Sequence, residues 1–341
     1  MVNIKKNQIK PIFIAEVGQN HQGSLKKALE YVRVFSKLGA HIIKFQNRNN
    51  KYLFSTEAFK KDYFSVNSFA KTYGKHREKL ELSYKDLKKI KFECKKNGVE
   101  FMSTPFDEPS VELLKKLKLN FVKISSFEIG NLPFINLIGK KFKTVFISTG
   151  GANIDQIKQS IKILRKNKVK IILMHCVSEY PCPDKNLGLL NLKKLKKLFP
   201  YCIIGNSDHF TGILSGPVAY LLGARVFEKH VTFDRTLKGS DHNFSLEPDG
   251  FKKFVRDTER VRLMLKPKKN SLLGKEKVFL RLGKSIIVNK NLKKGDKVSL
   301  NNISGKIFHK TYIPVRDTYK VLGKKLKIDI LKDEPITKKY F

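Results

Sequence analysis

Eight short β-branched apolar runs, each followed by an amphipathic lysine-rich stretch, predict a (β/α)8 (TIM) barrel over about the first 265 of the 341 residues. Three observations carry this expectation. The runs are near-continuous, as strands buried on both faces should be. Strand and helix alternate without a break. Every strand end carries ionisable or hydroxyl side chains, whereas the strand bodies are apolar. A doubly wound open sheet is the alternative, but its glycine-rich phosphate turn after the first strand is missing.

The first strand is expected at 11–18 (PIFIAEVG), followed by a helix at 24–38 with Ser24 as N-cap. The second, 41–46 (HIIKFQ), is separated from its helix at 84–97, which Ser83 caps, by residues 47–83. That connection far exceeds the usual length of about 2–6 residues, and its aromatics (Tyr52, Phe54, Phe59, Tyr63, Phe64, Phe69, Tyr73) predict a packed lid. Strands at 99–106, 121–128, 144–150, 169–177, 201–207 and 224–232 alternate with helices at 108–118, 132–140, 153–167, 188–198, 211–222 and 248–265. Beyond 265 the texture changes. Residues 266–284 read as a Lys-Pro-Gly linker and 285–341 as a small β-rich domain, in which Leu292–Ser299 and Ile330–Thr337 repeat one hairpin-like pattern.

Composition narrows the class. No apolar run approaches the roughly 18–20 residues that cross a bilayer, and the run from Pro11 to Ala15 stops at Glu16, too short for a secretory signal. Four scattered cysteines (Cys94, Cys176, Cys182, Cys202) fit reduced thiols in a cytoplasmic protein. The formal charge of +40 raises nucleic-acid binding, yet only 11 of the 70 basic residues are Arg, and the lysines lie along helix-like faces. Lysine is a hydrated point charge without the bidentate fork of arginine, so a solvated surface is the better reading. Neither a nucleic acid nor a membrane is an expected partner, and the positive potential would draw in small anions.

Chemistry in such a barrel gathers at the carboxyl ends of the strands. Those ends offer Glu16; Lys44 and Gln46; Thr104; Lys123, Ser126 and Glu128; Ser148; Tyr180; Ser207 and His209; and His230. A buried ammonium is costly without an anion. Lys44 and Lys123, with the hydroxyls of Thr104, Ser126, Ser148 and Ser207, therefore form a plausible cradle for phosphate and carboxylate. Internal salt bridges to Glu16 and Glu128 are the competing reading. His209 and His230 end adjacent strands, so their imidazoles could share one divalent ion, the alternative being hydrogen-bonded core histidines. No glycine-rich mononucleotide loop is present, which disfavours a nucleotide cofactor. The residues alone describe a metal-assisted lyase or transferase acting on a small phosphorylated anion.

Phe13–Gly23 (FIAEVGQNHQG), Ile43–Gln46 (IKFQ), Met102–Asp107 (MSTPFD), Lys123–Glu128 (KISSFE), Ile147–Gly150 (ISTG), Ser207–His209 (SDH), Glu228–His230 (EKH) and Gly239–His242 (GSDH) resemble the N-acetylneuraminate (sialic acid) synthase family. The tail resembles the antifreeze-like (SAF) domain that closes those enzymes. The resemblance implies condensation of phosphoenolpyruvate with an open-chain N-acyl hexosamine, ManNAc or a diamino-dideoxy relative, to give a nine-carbon 2-keto-3-deoxy sugar acid and phosphate. It implies that His209 and His230 hold a divalent ion, typically Mn2+, with Mg2+ or Co2+ as alternatives. Lys44, Thr104, Lys123, Ser126, Ser148 and Ser207 would grip phosphoenolpyruvate and Glu16 would activate water. Gln46, Glu128, Tyr180 and Asp241 would orient the sugar, and a homodimer would exchange its tail domains. Two departures stand out: Ser178 where an Asn is common, and Ile307 where the family places an Arg that reaches the N-acyl group.

Three rival readings compete. A synthase taking a phosphorylated sugar would need extra Arg or Lys at the barrel mouth, and the sequence shows no obvious set. A polyanion-binding protein would use the lysines as glue. A SAF carbohydrate-binding module on an inert barrel would tolerate loss of Lys44 and His209.

Overall fold

The computed structural model describes residues 9–341 and divides into two compact units at Leu265/Lys266. The first unit is a ring of eight parallel strands: β1 (Ile12–Gly18), β2 (Ile42–Asn47), β3 (Glu100–Pro105), β4 (Phe121–Ile124), β5 (Thr144–Ser148), β6 (Lys170–His175), β7 (Ile203–Asp208) and β8 (Val226–His230). The ladder runs β3-β2-β1-β8-β7-β6-β5-β4, with β3 and β4 side by side to complete a TIM barrel.

Helices alternate with the strands. They are α1 (Leu25–Lys37), then α2 (Asn50–Leu53), α3 (Thr56–Lys60) and α4 (Tyr73–Lys79) in the long second connection, and α5 (Tyr84–Lys96) after it. Then come α6 (Glu108–Lys116), α7 (Leu132–Lys141), α8 (Ile154–Lys166), α9 (Asn191–Leu198), α10 (Ser215–Leu221) and α11 (Pro248–Met264). Local sequence explains their ends. The Ser24 hydroxyl accepts from the Lys27 N–H, and Ser83 with Asp86 and Asn153 with Gln156 close reciprocal capping boxes. Lys37, Lys95, Lys96, Lys115, Lys116 and Lys166 sit in last turns, where a cation favours the helix dipole. Part of the lysine excess thus stabilises helix ends.

The pleat separates two cores. Ile12, Ile14, Ile42, Met102, Phe121, Phe146, Ile172, Met174, Ile203 and Val226 fill the barrel interior. Residues of the other parity, such as Phe13, Ile43, Phe101, Val122 and Phe227, pack outward against the helices. Gly205 faces inward, where an added Cβ would meet Met174 Sδ at 2.3 Å and the Val226 carbonyl at 2.8 Å. Gly205→Ala is therefore expected to cost about 1–3 kcal/mol through overpacking, read as a lower urea midpoint at unchanged m-value.

The fourth strand is shorter than the sequence predicts. It ends at Ile124, and Ser126–Glu128 form a 3-10 turn in which Ser125 Oγ accepts from the Phe127 N–H. The 47–83 connection holds three short helices rather than one loop; Phe54, Tyr63 and Tyr73 pack on each other and on His76, whereas Tyr52 and Phe64, expected to pack with them, are exposed. The N–H of Gly239, in the segment after β8, donates to Asn67 Oδ1 at 3.0 Å.

In the second unit a helix, α12 (Lys277–Leu282), occupies part of the stretch read as linker, and β9 (Ser285–Val288) pairs antiparallel with β10 (Ile303–Lys306). The repeat seen in the sequence is a structural one. Leu292 and Ile330 exchange both backbone hydrogen bonds, at 2.9 and 3.0 Å. The Lys294 N–H donates to Asp329 Oδ1, and the Lys332 N–H to Asn291 Oδ1, the equivalent position. Gly295 and Asp333 occupy the same left-handed turn position, with φ of +94° and +70°. Ile286, Val288, Leu292, Val298, Leu326, Ile330 and Ile336 form the small core.

Candidate active site

The pleat that fills the barrel interior with apolar side chains continues, two residues on, with polar ones. Glu16 follows Ile14, Lys44 follows Ile42, Thr104 follows Met102, Lys123 follows Phe121, Ser148 follows Phe146 and Glu228 follows Val226. Ladder register sets them side by side. Glu16 is opposite both Lys44 and His230, Gln46 opposite Thr104, and Ser207 opposite Glu228. A ring of charged and hydroxyl groups therefore sits on an apolar floor, at the carboxyl end of the barrel.

Four of these groups form a buried charge cluster. Lys44 Nζ lies 2.7 Å from Glu16 Oε1 and 3.4 Å from Glu228 Oε1, and donates to Thr104 Oγ1 at 3.2 Å. Lys123 Nζ lies 2.8 Å from Glu228 Oε2 and 3.5 Å from Ser207 Oγ. Burial works against the Lys44 charge, but Glu16 and Glu228 more than offset it and raise its pKa. Burial likewise favours neutral Glu228, yet Lys123 and Lys44 pull its pKa down to about 2. Both ammonium groups thus have carboxylate partners, as the salt-bridge reading anticipated, except that the second partner is Glu228 and not Glu128.

Around the cluster, capacity for a ligand remains. Glu16 Oε2, Ser148 Oγ and Ser178 Oγ are buried without hydrogen-bond partners. Ser126 Oγ accepts from the Gly150 N–H at 3.0 Å, and a Cβ on Gly150 would lie 2.4 Å from Ser178 Oγ and 2.8 Å from Ser126 Oγ. Such orphaned polar atoms are costly unless something else satisfies them.

His209 and His230 meet with ring centroids 5.5 Å apart, and Tyr180 lies over His209 at 3.9 Å. His209 donates from Nδ1 to the Val177 carbonyl at 2.7 Å, which leaves Nε2 as its free nitrogen. Burial, helped by His230, lowers the His209 pKa to about 4, so the ring is neutral near pH 7. His230 Nδ1 is buried without a hydrogen bond, 3.8 Å from Asp241 Oδ2. Burial opposes the Asp241 charge, but His230 and Ser240 more than offset it and keep its pKa low. The two imidazoles and the donor chemistry fit a divalent ion. Among the described residues no cluster of three or more His, Cys, Asp or Glu side chains could hold one by itself, so the remaining coordination positions would fall to water or substrate.

Above the ring opens a cavity of about 730 Å³, lined among others by Gln46, Tyr180, His230 and Asp241. Leu53, Phe54, Asn67, Tyr73 and Arg77 of the long connection supply part of its wall. Glu128 does not reach it: its Oε2 accepts from Asn131 Nδ2 at 2.7 Å, and nothing here supports the sugar contact expected of it. Glu228 has no role among the sequence expectations, although its place two residues before His230 gives it the same inward parity. The sequence likewise shows no obvious extra cations at the mouth. The structure puts two there, Arg48, two residues beyond Gln46, and Arg77 on α4. Parity could have flagged Arg48; no local signal marks Arg77.

Comparison with known proteins follows the same lines. Residues 31–270 match the model of the NeuB family. The chain is 33% identical to N-acetylneuraminate-9-phosphate synthase of Homo sapiens, over 96% of this chain and 91% of that one. It is 36% identical to N,N'-diacetyllegionaminic acid synthase of Campylobacter jejuni, over 87% of this chain and 90% of that one. The crystal structure of an N-acetylneuraminic acid (sialic acid) synthetase from Leptospira borgpetersenii in complex with citrate superposes with a TM-score of 0.70 at 31% identity, covering 80% of this chain and 92% of that one. The chain belongs to the NeuB family, the sialic acid synthase family that its strand-end motifs resemble.

Proposed function

We propose that this protein is a nonulosonic acid synthase, joining C3 of phosphoenolpyruvate to the aldehyde carbon of an N-acyl hexosamine and adding water at C2, with release of phosphate. The observation that carries the reading is the buried Lys44–Glu16–Glu228–Lys123 cluster under a cavity bordered by His230 and Asp241. Lys44 and Lys123 take the phosphate and carboxylate, with Thr104, Ser126, Ser148 and Ser207 as hydroxyl partners, so that charge repulsion falls as the reactants approach. Glu16, one oxygen of which is unpartnered, accepts the proton of the attacking water. Gln46 and Asp241 orient sugar hydroxyls, and the Tyr180 ring packs beside them. His209 and His230 would hold a divalent ion, for which Mn2+ is our choice over Mg2+ or Co2+, and such an ion would supply Lewis-acid polarisation of the aldehyde.

The C-terminal unit, with its pseudo-twofold repeat, we read as a SAF domain, and the protein as a homodimer that exchanges it. Four free, buried cysteines suit a cytoplasmic location, and no helix among the described residues is long and apolar enough to cross a membrane.

Incubation with phosphoenolpyruvate, Mn2+ and a panel of N-acyl hexosamines tests the reading. Stoichiometric phosphate and a 2-keto acid are expected with at least one sugar. Absence of both products across the panel would refute it, and salt-sensitive RNA binding in their place would favour the polyanion-binding alternative.

A further inference from the structure

We infer that Lys229 and Asp208 are positioning residues: their buried ion pair clamps the turn that carries His209 onto the strand that carries His230, and so sets the two imidazoles for a divalent ion. The inference rests on the metal part of the reading above. The β7–β8 ladder ends at the Asp208–Lys229 pair, so His209, the next residue, lies beyond strand register. His230 is the last residue of β8 and is fixed opposite Glu16 on β1. Lys229 reaches across to hold the turn. Its Nζ lies 2.5 Å from Asp208 Oδ1 and also donates to the Phe210 carbonyl. Asp208 Oδ1 in turn accepts from the Phe210 N–H at 3.1 Å, closing an Asx turn with His209 at its centre. Asp208 Oδ2 accepts from Asn206 Nδ2 at 2.9 Å. The residues before and after His209 are thus tied to one ammonium group, whose own backbone adjoins that of His230.

An ion pair is unexpected at this position. Lys229 and Asp208 are 1% and 5% exposed and point outward, where the same strands carry Phe227 and Ile204 against the helices. An apolar pair would fill such a place with at least equal stability, because a buried ion pair barely repays the loss of water from both charges. What an apolar pair lacks is direction: it cannot hold the Phe210 carbonyl and the Asp208 carboxylate at fixed points. Two further contacts act on His209 itself, from Nδ1 to the Val177 carbonyl at 2.7 Å and from the Cys182 N–H to its own carbonyl at 3.1 Å. Both come from the segment after β6. The Lys229 clamp adds the tie to the strand of His230, and that separation is what a shared ion depends on.

The test measures Mn2+ dissociation constants of the full chain, with free ion counted by electron paramagnetic resonance, for wild type, Lys229→Met and the neutral pair Lys229→Met/Asp208→Asn. The double variant leaves no unpaired buried charge, and its amide oxygen can still accept from the Phe210 N–H. The Mn2+ constant should rise about tenfold or more in both variants, as when a contact that orients a metal ligand is removed. The phosphoenolpyruvate constant, taken in EDTA, should stay within about threefold of wild type. Phe254→Leu, which opens a cavity in the outer core, is the control: it should lower the urea midpoint and leave the Mn2+ constant unchanged. A purely structural role predicts instead that Mn2+ affinity follows the urea midpoint, falling in Phe254→Leu and recovering in the double variant, and that result would overturn the inference. So would unchanged Mn2+ constants in both Lys229 variants, or failure of both to fold, which would assign the pair to stability alone. Absence of Mn2+ binding in wild type, or its retention in both His209→Gln and His230→Gln, would remove the metal reading and this inference with it, whereas the condensation reading stands or falls on release of phosphate.

Discussion

Glu228→Gln is expected to destabilise the barrel by about 3–5 kcal/mol, the usual cost of removing one member of a buried ion pair. Glu228 is 4% exposed and is the carboxylate shared by Lys123 and Lys44, at 2.8 and 3.4 Å. Glutamine keeps the shape and removes the charge, leaving two buried ammonium groups with Glu16 alone between them. The pH dependence has a definite sign. The folded pKa of Glu228, about 2, lies below the ordinary 4.5, so its contribution is complete above the ordinary value and is lost as pH falls through about 2. Urea unfolding at pH 7 should therefore show the full gap between wild type and variant, and the gap should narrow in acid. A gap that is small at pH 7, or equal at pH 7 and pH 2, would mean that the cluster does not hold the barrel as described.

Changing His209 or His230 to Gln should lower Mn2+-dependent kcat/KM by about 10³-fold or more, equivalent to about 4 kcal/mol of transition-state stabilisation. With only two protein nitrogens available, either loss leaves a single ligand, and measured Mn2+ affinity should fall with turnover. Retained Mn2+ binding in both variants would take these residues out of the metal site. Far-UV circular dichroism and the urea midpoint separate this result from unfolding, since both rings also pack on Phe244.

The barrel was legible because its signals are local and periodic. Near-continuous apolar runs mark strands buried on both faces, and Ser24 and Ser83 mark helix starts within a residue or two. Period-two parity makes most of the site legible as well. Glu16, Lys44, Lys123, Ser148 and His230 each follow an inward apolar residue by two or four positions. Where the strand ends, parity stops. Glu128 lies beyond Ile124 in a 3-10 turn, so its likeness to the other strand-end acids gave the wrong partner for Lys123. Arg77 joins the mouth only through the path of the 47–83 connection, which depends on long-range contacts such as Arg77 to Gln19.

The dissociation constant for phosphoenolpyruvate, measured by titration calorimetry on Lys123→Met and Lys229→Met, tests the central claim most directly. Both lysines are almost fully buried beside a carboxylate, but Lys123 faces into the barrel and Lys229 faces outward onto Asp208 at 2.5 Å. Loss of the inward charge should weaken binding by about 2–4 kcal/mol, or at least about 30-fold, whereas the folded Lys229 variant should stay within about threefold of wild type. Unchanged affinity in Lys123→Met would contradict the assignment of the inward-facing cluster as the phosphoenolpyruvate grip.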